Sequence, residues 1–138
     1  MTETLHASCI SLGDRGLLIL GPSGAGKSAL ALTLMAHGAE LVADDRTLIR
    51  AENGLLIASA PDPLQGLIEA RGIGLLRAPH RPQAPLTLAI DLGQIEPDRL
   101  PPHRHITVQG IDLPLVLTPP HPHFPFAILC YLKGSRFA

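Results

Sequence analysis

At 138 residues the chain is long enough for one compact domain with its own core and too short for two. Its 46% hydrophobic and 17% charged residues exclude a disordered chain. A formal net charge of −1, scattered Lys and Arg and only 3% aromatics exclude the charge and stacking footprint of a nucleic-acid binder. No apolar run approaches the about 18 residues of a membrane-spanning helix, so no membrane partner is expected.

Residues 1–6 do not form a basic segment followed by an apolar one, so no secretory signal is expected and the cytoplasm is the expected location. Cys9 and Cys130 lie far apart without a CxxC partner and read as buried free thiols of a reducing compartment. Residues 5–11 mix small, apolar and β-favouring side chains and run into Gly13-Asp14, which predicts a strand and a turn. Residues 16–20 are a continuous apolar run, the pattern of a strand buried on both faces. After a glycine-rich segment, residues 28–36 hold strong helix formers, and His37-Gly38 supplies a glycine-type stop.

Residues 41–43 make a further short apolar strand ending in Asp44-Asp45. Residues 47–50 and 55–58 flank Glu52-Asn53-Gly54 and predict a hairpin with an Asn-Gly turn. Later strands are expected at 86–90, 106–108 and 113–117, with the prolines beyond residue 60 suiting loops, turns and edge strands. Residues 124–132 form the last helix candidate, ending at Lys133-Gly134. Strand, loop, helix, strand and then a largely antiparallel region predict an α/β domain with a mixed sheet.

The chemistry lies in Gly21-Pro22-Ser23-Gly24-Ala25-Gly26-Lys27-Ser28, which fits G-x-x-x-x-G-K-[ST] at every defined position. Glycines let successive backbone N–H groups converge on an anion, and the following helix points its N-terminal dipole at the same spot. Lys27 would reach the β- and γ-phosphates of a nucleoside triphosphate, and the Ser28 hydroxyl would ligate Mg²⁺. Asp44 and Asp45 follow a buried strand, where a carboxylate approaches Mg²⁺ or its water shell. If both stay extended they face opposite ways and only one points at the phosphates; the residues alone do not choose between them.

Further on stands Ile68-Glu69-Ala70-Arg71-Gly72-Ile73-Gly74-Leu75-Leu76. Together with the phosphate loop and Ala43-Asp44-Asp45-Arg46, 16 to 19 positions beyond Lys27, it resembles HPr kinase/phosphorylase, whose members carry a Glu-x-Arg-Gly-x-Gly stretch. The resemblance runs from about His6 to the last helix and is closest to the short, catalytic-domain-only proteobacterial forms. It implies a P-loop kinase domain of the HPr kinase/PEP carboxykinase-like type over residues 1–138, with a helix after the loop and another at the C-terminal end. It implies ATP- and Mg²⁺-dependent phosphorylation of a serine of HPr, the phosphocarrier of the sugar phosphotransferase system. The reverse reaction uses inorganic phosphate and forms pyrophosphate, and the assembly is a ring-like homo-hexamer.

Carried over by position, the resemblance makes Asp45 the acid/base group, with His6 poised beside it. Glu69 becomes a second magnesium ligand with Ser28, and Arg71 a partner for phosphate or a carboxylate. Arg99, in Pro97-Asp98-Arg99-Leu100, falls where the family has a catalytically important arginine. Two departures stand out. Ala29 occupies a position that is commonly Glu, and the stretch from Pro114 to His121 lacks the arginines of a family loop tied to dephosphorylation. Phosphorolysis is therefore expected to be weakened. The pairs His103/His105 and His121/His123 sit among prolines without cysteine at ligand spacing and read as solvated loop histidines. The competing functions are a phosphate-loop kinase for a small molecule, disfavoured by the lack of an arginine-rich lid, and a nucleotide-binding sensor without catalysis.

Overall fold

A computed structural model describes residues 1–138. The elements are β1 (Thr2–Leu5), β2 (Ala7–Leu12), β3 (Arg15–Leu20), α1 (Lys27–Ala36), β4 (Glu40–Ala43), β5 (Thr47–Glu52) and β6 (Leu55–Ser59). They continue with a 3₁₀ turn at Asp62–Leu64, β7 (Leu67–Ala70), β8 (Gly74–Arg77), β9 (Gln83–Ile95), β10 (Arg104–Val108), β11 (Ile111–Thr118) and α2 (Phe124–Gly134). Nine strands form one mixed sheet with the path β1-β5-β6-β9-β3-β2-β4, extended by β11 on β9 and β10 on β11, and β7 pairs only with β8. Strand β3 runs parallel to β9 and antiparallel to β2.

Alternation of side chains along the central strands divides the core in two. Ala7, Cys9 and Leu18 face one cluster with Ile49, Leu56 and Val108, where the strands curl over one another. Ile10, Leu17 and Ile19 face the other, with Leu30 and Leu34 of α1 and Ile128, Leu129 and Leu132 of α2. The continuous apolar run at 16–20 thus belongs to a strand covered on both faces. The α/β class, the mixed sheet and the two helices agree with the sequence.

Several boundaries differ for identifiable reasons. The single strand expected at 5–11 breaks at His6, because β1 pairs with β5 whereas β2 pairs with β3 and β4. At the hairpin between β5 and β6, Asn53 and Gly54 take φ of 53° and 77°, as a type I′ turn requires. The β7–β8 hairpin has no counterpart among the expected strands, and β9 extends well beyond 86–90 to include Pro85, opposite Ile57 of β6. Cys130 is exposed rather than buried, since α2 turns Ile128, Leu129 and Leu132 inward and leaves Cys130 outside. Cys9 is buried, and that burial pushes its thiol pKa well up, keeping it protonated. No helix is long and apolar enough to cross a membrane.

Candidate active site

The loop of residues 21–28 leaves the end of β3 and enters α1, with Gly24 and Gly26 at φ of 84° and 100°, a backbone region that disfavours other residues. Lys27 is buried, and its Nζ donates to the carbonyls of Gly21 at 2.8 Å and Pro22 at 3.1 Å. The lysine therefore closes the loop upon itself. Ser28, in the first turn of α1, donates its hydroxyl to Asp44 Oδ1 at 2.6 Å. With the proton directed at Asp44, the lone pairs of Ser28 stay available to a cation.

Extension of β4 ends at Ala43, the Arg46 N–H donates to the Asp44 carbonyl at 2.7 Å, and Asp45 takes φ of 67°. The opposite facing expected of two extended residues does not apply at this tight turn, and both aspartates line the same cleft. Asp44 accepts the hydroxyls of Ser8 (2.9 Å) and Ser28 on Oδ1 and the Glu69 N–H (3.1 Å) on Oδ2. Asp45, on the solvent side, has its Oδ1 2.7 Å from His6 Nε2, with side-chain exposures of 62% and 50%. His6 is in reach because it is the break between β1 and β2.

The opposite wall is the β7–β8 hairpin, which contributes Glu69, Ala70, Arg71 and Ile73. Between the walls lies a cleft of about 550 Å³ that also takes in Ser23, Gly24, Gly26, Ala29 and Leu32. Ser28, Asp44, Asp45 and Glu69 give it hard oxygen donors beside the phosphate loop. No three His, Cys, Asp or Glu side chains converge as a preformed cage. Mg²⁺ characteristically takes one or two carboxylates together with phosphate oxygens and water, so this donor set fits it without such a cage.

The family described as HPr Serine kinase C-terminal domain matches residues 1–99. The chain belongs to that family. The HPr kinase/phosphorylase of Geobacillus thermodenitrificans is 33% identical over 152 aligned positions, covering 99% of this chain and 48% of that protein. That of Peptoclostridium acidaminophilum is 43% identical over 76 positions, 54% of this chain and 25% of its own. The solved structure of the Hpr(Ser) kinase/phosphatase from Coxiella burnetii superposes with a TM-score of 0.82 at 30% identity, covering 97% of this chain and 90% of that one. The chain spans about half the length of the curated relatives it matches end to end.

Among the site residues expected of a member of this HPr kinase family, the structure brings Lys27, Ser28, Asp44, Asp45, Glu69 and Arg71 to one cleft, with His6 against Asp45. Gly21 and Pro22 form the start of the loop, and Ala25 its crest, where its N–H donates to the Pro22 carbonyl. Arg99 is not brought there. It lies exposed in the segment between β9 and β10, which is tied elsewhere by the Arg104–Glu96 ion pair and by a hydrogen bond from Arg136 to the Pro101 carbonyl. Glu69 stands on the cleft wall, whereas Asp44 is the carboxylate in direct contact with Ser28.

The stretch from Pro114 to Thr118 is part of β11, in line with the strand expected at 113–117, and pairs with β9 and β10. His121 and His123 stack with centroids 5.3 Å apart just before α2, and neither they nor His103 and His105 line the cleft. Ser8, which contacts both aspartates, is absent from the motif reading. Its only signal is that it is one of two serines, with Ser11, in a buried strand whose other residues are apolar.

Proposed function

We propose that this chain is an ATP- and Mg²⁺-dependent protein-serine kinase that phosphorylates HPr, with residues 1–138 acting as one catalytic domain. The observation that carries the reading is Asp45, held at the open side of a phosphate-loop cleft with its carboxylate hydrogen-bonded to His6. Loop N–H groups between Gly21 and Ser28 cradle the β- and γ-phosphates, and Lys27 turns from its own carbonyls to them. Ser28 and Asp44, with Glu69 on the facing wall, hold Mg²⁺. When bound, the cation neutralises charge on the phosphate oxygens.

Asp45 accepts the proton of the acceptor serine as its oxygen attacks the γ-phosphorus. Its exposure suits this role, because a protein acceptor must reach it from solvent. His6 keeps the carboxylate aimed into the cleft, and Arg71 meets phosphate oxygen at the far wall. In the reverse direction Asp45 returns the proton to the serine oxygen. Phosphorolysis is weakened, since an inorganic phosphate anion finds no arginine in the Pro114–Thr118 stretch. The working assembly is a homo-oligomer, a hexamer on the family pattern, in the cytoplasm.

Purified protein incubated with Mg-ATP and HPr is expected to yield a phosphoserine adduct by mass spectrometry. Asp45→Asn should abolish the adduct while retaining nucleotide binding. No adduct with any cognate HPr, or full transfer by Asp45→Asn, refutes the reading.

A further inference from the structure

Pairing between β2 and β4 ends at Cys9 opposite Ala43. Beyond that pair a single backbone hydrogen bond, from the Ala7 N–H to the Asp45 carbonyl at 3.1 Å, joins β2 to the turn, and Asp45 sits at φ 67°, a strained region for a residue other than glycine. The side chain that touches both aspartates is that of Ser8. Its side chain is wholly buried in β2, and its hydroxyl is used twice: it accepts the Asp45 N–H at 3.1 Å and donates to Asp44 Oδ1 at 2.9 Å. One hydroxyl thus joins the carboxylate of one aspartate to the backbone of the next.

Asp44 has two other hydrogen-bond donors. Ser28 belongs to the phosphate loop and is itself a proposed metal ligand, and the Glu69 N–H belongs to the β7–β8 hairpin outside the main sheet. Of the three donors to the Asp44 carboxylate, only Ser8 lies in the central sheet. A serine that merely satisfied its own polarity needed one partner, whereas this hydroxyl both accepts and donates.

We infer that Ser8 is a positioning residue that holds Asp44 and Asp45 as one unit, setting the metal-side carboxylate and the proton-accepting carboxylate in fixed relation. The inference rests on the roles proposed for those two aspartates. Without the hydroxyl, the Asp44 carboxylate keeps only the Ser28 hydroxyl and the Glu69 N–H, both outside the central sheet, and the Asp45 N–H loses its acceptor. Metal affinity falls because the carboxylate is no longer preset, while the loop that cradles phosphate is untouched.

The test uses Ser8→Ala and Ser8→Thr, a fluorescent ADP analogue titrated with and without Mg²⁺, and amide hydrogen exchange at Asp45 in the ligand-free protein. In Ser8→Ala the gain in nucleotide affinity supplied by Mg²⁺ should fall about 10-fold or more, the scale for losing a residue that orients a metal ligand. Metal-free affinity should be unchanged, the Asp45 amide should exchange faster, and Ser8→Thr should restore both. If Ser8→Ala does not fold, Ser8→Cys replaces it, having similar volume but a weakly hydrogen-bonding thiol, and the same fall is expected. An unchanged Mg²⁺-linked gain in the folded variant overturns the inference, as does a wild-type protein whose nucleotide affinity ignores Mg²⁺. A wild type that binds Mg-nucleotide but leaves HPr unmodified sinks the acceptor assignment alone, and the Ser8 result then stands by itself.

Discussion

His6 Nε2 lies 2.7 Å from Asp45 Oδ1 although 39 positions separate the two residues. Both side chains are at least half exposed, so the pair contributes little to stability, and its consequence is orientation. His6→Ala should lower kcat for HPr phosphorylation about 10- to 100-fold, within the range that acid–base positioning supplies. It should leave the melting temperature and the KM for Mg-ATP nearly unchanged. Steady-state kinetics with thermal melting checks this, and a variant of normal kcat removes His6 from the mechanism.

On the proposed reading, phosphorolysis is weak beside phosphorylation. No arginine lies between Pro114 and His121, and residues up to Thr118 are committed to strand pairing in β11. Phosphoserine-HPr incubated with inorganic phosphate should release little pyrophosphate compared with the forward rate. Release at a rate equal to phosphorylation would show that another cation, with Arg71 the first to test, captures phosphate.

The Glu96 carboxyl is held below its ordinary 4.5, chiefly by the hydrogen bond from Arg104. Burial opposes that shift, and the Asp98 N–H and the charges of Arg104 and Arg136 assist it. A lowered folded-state value stabilises the fold fully above the ordinary carboxylate range, and the contribution is lost as pH falls through the lowered value. Urea midpoints measured from pH 7 down to pH 3 should therefore fall more steeply below 4.5 for wild type than for Glu96→Gln. At pH 7 Glu96→Gln should itself be less stable, since Arg104 loses its charged partner. Parallel curves for the two proteins would contradict this.

Gly16 begins the apolar strand beside β9, where an added Cβ would stand 2.5 Å from the Pro85 carbonyl oxygen. That oxygen is backbone and cannot swing aside. Gly16→Ala should destabilise by about 1–3 kcal/mol, the usual scale of overpacking. The effect is readable as a lowered urea midpoint at constant slope, and a neutral substitution would mean that β9 moves more easily than its pairing implies.

Local pattern carried a large part of this molecule. The loop from Gly21 to Ser28 is contiguous, and so is its setting between a buried strand and a helix. The Asn53-Gly54 turn and the apolar run at 16–20 likewise depend on neighbours in sequence, and their readings agree with the fold. The β7–β8 hairpin was not legible, because four-residue strands such as Leu67–Ala70 carry too short an alternation to distinguish from loop. Cys130 was misplaced for a related reason: the inward stripe of α2 is set by its packing on the sheet.

What the sequence by itself determined was a glycine-rich loop of the phosphate-binding pattern, a family and the identities of the carboxylates available to it. Only the tertiary structure decided how those carboxylates divide. The turn at Asp45 brings two residues that strand geometry would send apart into one cleft, with Asp44 on Ser28 and Asp45 on His6. It also left Arg99 outside and set Ser8 between the aspartates. These are contacts between elements distant in the chain, governed by strand pairing and by where a strand stops, which no local spacing of residues encodes.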